Sequence, residues 1–131
     1  MMERILKIDE LKPMIQHAPD FFPKTQDELD ACFMYVIDGF CYAGIKKLKH
    51  HPGIAEVQII SDKSQKRFLR PSLFREVLSL VHSLGFARMA MRFQNERLKR
   101  ICLKKRWIVP WGFGFYVNRD NAVFSGHKDG V

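Results

Sequence analysis

The order of residue patterns between Ala55 and Val117 constrains the fold of this chain more than any other feature. In chain order, the patterns predict a strand, a basic loop, an amphipathic helix, a second strand, a basic helix and an aromatic strand. A strand, a helix and a further strand in succession are typical of two parallel strands joined by a crossover helix. The order therefore predicts an α/β unit, and the basic residues within it favour an anionic ligand.

The clearest element of this unit is a helix from Ser72 to Leu84. Its apolar residues recur every three or four positions, whereas its polar residues take the opposite face. Ser72 is a suitable N-cap, and Gly85 is a suitable residue after the last turn. Apolar and polar residues then alternate from Ala87 to Gln94, which predicts the second strand of the unit.

Three antiparallel strands are predicted before the crossover. The runs Cys32–Ile37 and Phe40–Leu48 flank Asp38-Gly39, a pair that tolerates positive φ and therefore predicts a hairpin. His51-Pro52-Gly53 predicts another turn, and Ile54–Ser61 a third strand. Together with the crossover pair, these strands predict a mixed α/β (α+β) fold with a central mixed sheet flanked by helices.

The ends of the chain carry shorter patterns. The elements expected near the N-terminus are a strand at Arg4–Ile8, a helix from Glu10 to about His17 capped by Asp9, an ordered loop at Ala18–Pro23 with two apolar anchors, and a helix at Gln26–Ala31. Thr25 and Glu28 have the spacing of a capping box for the last of these. Towards the C-terminus, Gly112–Val117 predicts a final aromatic strand. The segment Asn118–Val131 is either an edge strand around Ala122–Phe124 or a loose tail.

Length and composition narrow the class of protein. At 131 residues, the chain 1–131 is expected to form a single domain. Its net charge of +8 favours nucleic acid, phosphorylated cofactors or acidic protein surfaces as partners, although an ordinary basic surface explains the charge equally well. The three cysteines lack C-x-x-C spacing, which argues against a disulfide framework and favours a reducing, cytoplasmic setting. Because no apolar run approaches about 18 residues, no membrane span is expected.

Two basic segments are candidates for contact with anions. The loop 63–70 contains four cations and joins the end of a strand to the start of a helix, where free N–H groups and the helix dipole favour phosphate. The helix expected at Glu96–Arg106 follows a suitable N-cap, Asn95, and carries six Lys or Arg residues. For both segments a solvated basic surface is the alternative. The sequence contains no metal-ligand spacing, Walker loop, dinucleotide-binding glycine pattern, or helix-turn-helix, zinc-finger or RNA-recognition signature.

In this order of elements, with Asn95 followed by a short basic helix, the chain resembles the GNAT superfamily of N-acetyltransferases. The resemblance covers roughly Cys32–Val117, and it is especially marked for short GNAT-like proteins of bacteriophages, including one tied to virion assembly. It implies that acetyl-CoA lies across Ile59–Arg70 and near Asn95. It also implies that the backbone after Ile59 polarises the thioester carbonyl.

The resemblance assigns candidate residues to this site. The cofactor-binding candidates are Ile59, Ile60, Gln65, Lys66, Arg67, Phe68, Arg70 and Asn95. Gln65 matches the start of the family's loop pattern, Gln/Arg-x-x-Gly-x-Gly/Ala. Phe68 and Arg70, however, replace the small residues that let the backbone approach a pyrophosphate. The Arg70 side chain can partly replace that approach.

Two catalytic candidates complete the predicted site. By its spacing from Asn95, Cys102 stands where the family often places a tyrosine that acts as general acid. Glu56 is the only acid within the central strand, which makes it the candidate general base; an ordinary outward-facing carboxylate is the alternative interpretation.

Three functions remain open on these grounds. The first is an acyl-CoA-dependent N-acetyltransferase that acts on an unknown amine acceptor. The second is a catalytically inactive GNAT-like phage protein that serves in virion assembly or as an interaction factor, located in the host cytoplasm. The third, weaker alternative is a basic nucleic-acid-binding protein. The segment Trp107–Trp111 is expected to be exposed and is a candidate contact surface.

Overall fold

One β-sheet runs through the described part of the chain, residues 2–16, 21–62, 64, 67 and 69–119 of a computed structural model. Its strands are β1 (Met2–Ile5), β2 (Phe33–Ile37), β3 (Cys41–Leu48), β4 (His51–Ser61), β5 (Arg88–Met91), β6 (Ile108–Gly112) and β7 (Phe115–Asn118). The helices are α1 (Pro13–Gln16), α2 (Gln26–Asp30), α3 (Leu73–Ser83) and α4 (Glu96–Lys104), with a 3-10 turn at Ile8–Glu10. The sheet order is β1-β2-β3-β4-β5-β7-β6, and among these described strands only β4 and β5 pair in parallel. The predicted mixed sheet flanked by helices is confirmed.

The first hairpin forms where the sequence predicts it. Asp38 and Gly39 have φ of 55° and 77°, and the Phe40 N–H donates to the Ile37 carbonyl at 3.3 Å. Two successive residues at positive φ match the twist of the flanking strands, so Asp-Gly sets this turn. The turn lies at the end of the sheet where β4 also ends, since the Asp62 N–H donates to the Phe40 carbonyl.

The second turn lies earlier than expected. β3 and β4 are joined at Lys49-His50, where His50 has φ of 68°, and β4 already begins at His51. Pro52 and Gly53 lie within an irregularity in the pairing of β3 with β4. Because proline cannot donate to a ladder, it is tolerated at such an irregularity.

The crossover helix α3 is confirmed between the parallel strands β4 and β5. Its C-terminal end is a Schellman motif: the Gly85 N–H donates to the His82 carbonyl at 3.0 Å, and the Phe86 N–H donates to the Val81 carbonyl at 3.2 Å. Gly85 adopts φ of 97° there, as its position predicts. The predicted N-cap, Ser72, precedes the helix, but its side chain makes no capping hydrogen bond.

The C-terminal strand prediction is wrong in one respect. Gly112–Val117 is not one strand, because Phe113 and Gly114 turn at φ of 53° and 82° and separate β6 from β7. β6 contains Pro110 and lies at one edge of the described sheet, where a missing N–H is tolerated. The segment Ala122–Phe124 lies outside the described residues.

The N-terminal boundaries also differ from those predicted. β1 spans Met2–Ile5 rather than Arg4–Ile8, and Asp9 lies inside the 3-10 turn instead of capping a helix. α1 begins only at Pro13, consistent with proline's preference for the first helical position. At α2 the Thr25 side chain accepts from the Glu28 N–H, as a capping box requires, but the Glu28 carboxylate accepts from the Lys24 N–H instead of the Thr25 N–H.

Buried residues pack on both faces of the sheet. On one face, α3 and α4 cover the larger cluster, to which alternate residues of β3 and β4 such as Ala43, Ile45 and Val57 contribute. On the other face, α1, α2 and the anchors Phe21 and Phe22 cover a smaller cluster. All three cysteines are buried and unpaired, and no helix in the described ranges is long and apolar enough to cross a membrane.

Candidate functional site

The sheet opens between the two parallel strands. The parallel pairing of β4 with β5 begins at the pair Ile54–Arg88 and ends at the pair Val57–Met91. Among the described residues, the two strands form no further pair beyond this point. β4 nevertheless continues to Ser61, paired on its other side with β3. The C-terminal half of β4 therefore borders a gap where a neighbouring strand would normally lie.

The backbone of Ile59 faces this opening. Peptide groups alternate along a strand between its two neighbours. On β4, the Gly53 carbonyl accepts from the Ala87 N–H on the β5 side, whereas the Asp62 N–H donates to the Phe40 carbonyl on the β3 side. The N–H and carbonyl groups of odd-numbered residues of β4 thus point towards β5, and those of even-numbered residues point towards β3. The Ile59 N–H and carbonyl consequently point into the gap.

The side chains around the gap divide between the two faces of the sheet. Ile59 is buried in the larger cluster, and Ile60 packs partly buried beside the smaller one. Glu56 is half-buried and pairs in register with Lys46 on β3 and Ala90 on β5. As an even-numbered residue of β4, Glu56 shares the face of the smaller cluster with Ile60. The general-base candidate therefore lies on one face, just before the strands separate.

A side-chain bridge spans the opening. The Gln94 Nε2 donates to the Gln58 Oε1 at 3.3 Å, and Gln58 is 5% exposed. This pair was not among the residues predicted from the sequence. A single amide within the otherwise apolar run from Val57 to Ile60 was the available signal, because a buried amide requires a hydrogen-bond partner.

The opening is bounded on its far side by the start of α4. Asn95 caps this helix as predicted, with its Oδ1 accepting from the Leu98 N–H at 2.8 Å. Arg97 Nη1 donates to the Leu69 carbonyl at 2.9 Å, which ties α4 to the end of the loop before α3. Arg97 was not among the predicted site residues, because nothing in its local sequence distinguishes it from the other cations of the helix.

Arg70 is held by two carboxylates of the chain itself. Its Nε lies 2.8 Å from Asp38 Oδ2 and its Nη2 lies 3.0 Å from Glu76 Oε1, while its Nη1 contacts the Glu76 carboxylate and the Ser72 hydroxyl. Glu76, followed by Asp38, raises the pKa of Arg70, and Arg70 in turn lowers the pKa of Glu76. The guanidinium that was expected to receive phosphate therefore already binds anionic groups.

Among the described residues of the loop before α3, Arg67 is the exposed cation. Its guanidinium lies 4.3 Å from the centroid of the Phe40 ring, and its Nη1 donates to the Asp38 carbonyl at 3.2 Å. Both arginines of the loop thus rest on the turn between β2 and β3. The other loop candidates, Gln65, Lys66 and Phe68, lie outside the described residues.

Cys102 lies in the interior. It is fully buried in the larger cluster, and this burial raises the pKa of its thiol to about 12. A thiol without exposed surface cannot contact a substrate, so this geometry offers no support for Cys102 as a general acid. The described residues also contain no group of His, Cys, Asp and Glu side chains that could hold a metal ion.

Comparisons with known proteins bear on the fold. No family model and no curated protein matches the chain. An acetyltransferase of the GNAT family from Streptococcus pneumoniae is similar at 13% identity and a TM-score of 0.52, over 90% of this chain and 95% of that chain. An N-acetyltransferase from Staphylococcus aureus Mu50 is similar at 14% identity and a TM-score of 0.54, again over 90% and 95%.

A third solved structure is larger than this chain. A mutant cAMP-binding acyltransferase from Mycobacterium smegmatis is similar at 17% identity and a TM-score of 0.53 over 89% of this chain, which spans only 42% of that protein. At such identities the likenesses show the fold alone. They confirm the predicted GNAT-like fold, whereas the similarity to bacteriophage proteins stays a prediction.

Proposed function

We propose that the protein is an acyl-CoA-dependent N-acetyltransferase that holds the thioester in the opening between β4 and β5. The observation that carries the proposal is the end of the β4–β5 pairing at Val57 and Met91, which leaves the Ile59 peptide group facing the gap. An N–H in this position can donate to the thioester carbonyl oxygen. It would stabilise the negative charge that develops on this oxygen when an amine attacks.

Glu56 is the proposed general base. It lies on the same strand, half-buried, where an acceptor amine approaching along the face of the smaller cluster can reach it. The amine nitrogen forms a bond to the carbonyl carbon and passes its proton to Glu56, directly or through a water, while the carbon–sulfur bond breaks. The burial of Cys102 leaves the departing thiolate without a side-chain acid in this proposal.

The loop before α3 is proposed to hold the phosphates of CoA. Arg67 is exposed there and can meet a phosphate directly, whereas Arg70 would have to exchange carboxylate partners for a phosphate. Gln65, Lys66 and Phe68 remain proposed cofactor-binding residues of the same loop. Asn95 fixes the start of α4, which forms the opposite wall of the opening.

A catalytically inactive GNAT-like protein is the second candidate. The observation that favours it is the pairing of Arg70 with Asp38 and Glu76, since an internal carboxylate competes with phosphate for the same guanidinium. In that case the chain would act through contact with another protein, as in the proposed phage role in virion assembly.

Calorimetric titration with acetyl-CoA and CoA at moderate salt tests whether the cofactor binds. We expect micromolar affinity in the wild type and at least tenfold weaker binding in Arg67→Ala. Arg4→Ala is the matched control, because Arg4 also stacks on an aromatic ring, Phe33 at 4.8 Å, but lies on β1. Absence of both heat and thermal stabilisation with either ligand would eliminate the acetyltransferase proposal.

Turnover separates the two candidates. Release of free CoA in the presence of a panel of amines should fall by about 10²-fold or more in Glu56→Gln, with the affinity for acetyl-CoA unchanged. Glu3→Gln, which removes an exposed carboxylate on β1, is the control. Binding of acetyl-CoA without turnover on any amine would favour the inactive candidate.

A further inference from the structure

Half of one sheet face has no helix over it within the described residues. α1, α2 and Phe21–Phe22 cover the smaller cluster above β1 to β4, while α3 and α4 pack on the opposite face of the sheet. The remaining area, above the first residues of β4 and above β5, β7 and β6, contains a groove of about 770 Å³. Its lining includes Ile54, Val109 and Trp111, with Arg88 and Arg119 beside them.

Aromatic rings form a continuous row along this area. The ring centroids of His51 and Trp111 lie 5.3 Å apart, and those of Trp111 and Phe115 lie 6.4 Å apart. The Arg92 guanidinium extends the row, 4.3 Å from the Phe115 centroid. Trp111 is 42% exposed, and Phe113 at the tip of the β6–β7 turn is 95% exposed. Large rings held open to water in one place are typical of a binding surface.

The same area is strongly cationic. Arg88, Arg92 and Arg119 are exposed here, whereas strands β4 to β7 together contain a single carboxylate, Glu56. Arg88 Nη1 donates to the Asn118 carbonyl at 2.9 Å, which fixes this side chain at the rim of the groove. The positive charge of this area therefore favours an anionic ligand. The row of aromatic rings favours a ligand that also contains planar rings able to stack on them.

We propose that this surface, formed by Arg88, Arg92, Trp111, Phe113, Phe115 and Arg119, binds single-stranded nucleic acid. Bases stack on Trp111 and Phe113, and the arginines contact the phosphates, a combination that tolerates any sequence. An acidic peptide would engage only the cations, and a second copy of the chain would bring like charges together. The surface lies on the opposite sheet face from the basic helix α4, and its use requires neither acetyl-CoA nor turnover.

Fluorescence of Trp111 provides the direct test. The chain has two tryptophans, and Trp107→Phe leaves Trp111 as the only reporter. Titration with a 12-nucleotide oligothymidylate should quench this fluorescence with micromolar affinity. With three arginines on phosphates, log K should fall against log[salt] with a slope of about −2, at roughly −0.7 per phosphate contact. Anisotropy of a labelled oligonucleotide with the wild-type protein gives the same affinity should Trp107→Phe fold poorly.

Matched substitutions locate the contact. Trp111→Ala and Phe113→Asn should each weaken binding about tenfold, as expected for loss of one stacked base. Asparagine is chosen because it tolerates the positive φ of position 113. Leu103→Ala, an exposed apolar residue on α4, is the control and should leave the affinity unchanged. Arg92→Gln should reduce the salt slope by about 0.7, whereas Arg100→Gln on α4 should not change it.

Three results would overturn the proposal. The first is oligothymidylate binding that leaves Trp111 fluorescence unchanged. The second is equal affinity for polyglutamate of the same length, which would assign the surface to acidic peptides. The third is a concentration-dependent dimer in sedimentation that Trp111→Ala abolishes, which would show that a second copy occupies the surface.

Discussion

At the scale of single residues, Arg70 decides how the loop before α3 meets an anion. The guanidinium replaces a small residue of the loop pattern, and the chain provides Asp38 and Glu76 as its partners. A phosphate can bind Arg70 only by displacing a carboxylate. We therefore expect Glu76→Gln to tighten the binding of acetyl-CoA several-fold, as measured by calorimetry. Glu3→Gln, which removes a carboxylate on β1, is the control and should leave the affinity unchanged. Unchanged or weaker binding in Glu76→Gln would show that Arg70 does not reach the phosphates.

The same ion pair makes a small, pH-dependent contribution to stability. Because Arg70 lowers the pKa of Glu76, the contribution is complete above the ordinary glutamate pKa of 4.5 and is lost as the pH falls through the lower folded-state value. The two side chains are 40% and 29% exposed, so solvent screening limits the effect to about 1 kcal/mol or less. Urea denaturation at pH 7 should show Glu76→Gln to be less stable than wild type, and the difference should shrink progressively as the pH is lowered below 4.5. A difference that persists at low pH would mean that packing, not charge, is responsible.

Gly44 is required by close packing rather than by backbone conformation. A methyl group at this position on β3 would lie 2.6 Å from the Phe21 ring and 3.0 Å from the Met34 sulfur. We expect Gly44→Ala to lower the free energy of unfolding by about 1–3 kcal/mol, since Phe21 must shift from its anchoring position. Gly53→Ala is the matched control, because a methyl group there meets no atom within 4 Å. Equal stability of both variants would show that the Phe21 anchor moves without cost.

At the scale of elements, Asn95 fixes the start of the helix that bounds the opening. Its side chain satisfies the Leu98 N–H, one of the donors that a helix N-terminus leaves without a partner. Asn95→Ala should cost about 1 kcal/mol of unfolding free energy, whereas Asn95→Asp should retain most of the stability. Urea denaturation of the three proteins tests this. Should the alanine and aspartate variants prove equally destabilised, Asn95 would be needed for something other than capping.

The sequence predicted those elements whose cause is local. Asp38-Gly39, the amphipathic helix closed by Gly85, and Asn95 before α4 each act through neighbours within four residues, and each is confirmed. β6 was missed because Pro110 argues against a strand unless its place at the sheet edge is known.

The details of the candidate site depend on contacts between distant residues. Arg70 and Asp38 are 32 positions apart, and Gln58 and Gln94 are 36 apart. Residue types and spacing predicted a site on one strand and the loop that follows it, but they contain no information about which partner a side chain meets once the strands are paired. For the same reason, the spacing from Asn95 could not reveal that Cys102 faces the core.

At the scale of the whole molecule, the sheet joins two hydrophobic clusters into one structure. β2 and β3 contribute alternate residues to both: Met34 and Tyr42 to the smaller cluster, and Ile37 and Ala43 to the larger. A strand that loses its packing on one face also loses the register that positions its other face. The short helices α1 and α2 are therefore expected to unfold together with α3 and α4, although they lie on opposite faces.

A substitution in the smaller cluster tests this coupling from the opposite side of the sheet. Leu29 on α2 is 3% exposed, and Leu29→Ala should cost about 2–5 kcal/mol. The reporter is Trp107, which stacks on Phe74 in the larger cluster at 5.9 Å, with Trp111 replaced by phenylalanine so that one tryptophan remains. If the clusters unfold as one unit, Leu29→Ala lowers the urea midpoint of Trp107 fluorescence and of far-UV circular dichroism equally, because both signals report a single transition.

Leu103→Ala, which truncates an exposed side chain on α4, should leave both midpoints unchanged. A Trp107 midpoint that stays at its wild-type value while the circular dichroism midpoint falls would show that α1 and α2 form a separately unfolding layer, and that the sheet does not transmit the loss from one face to the other.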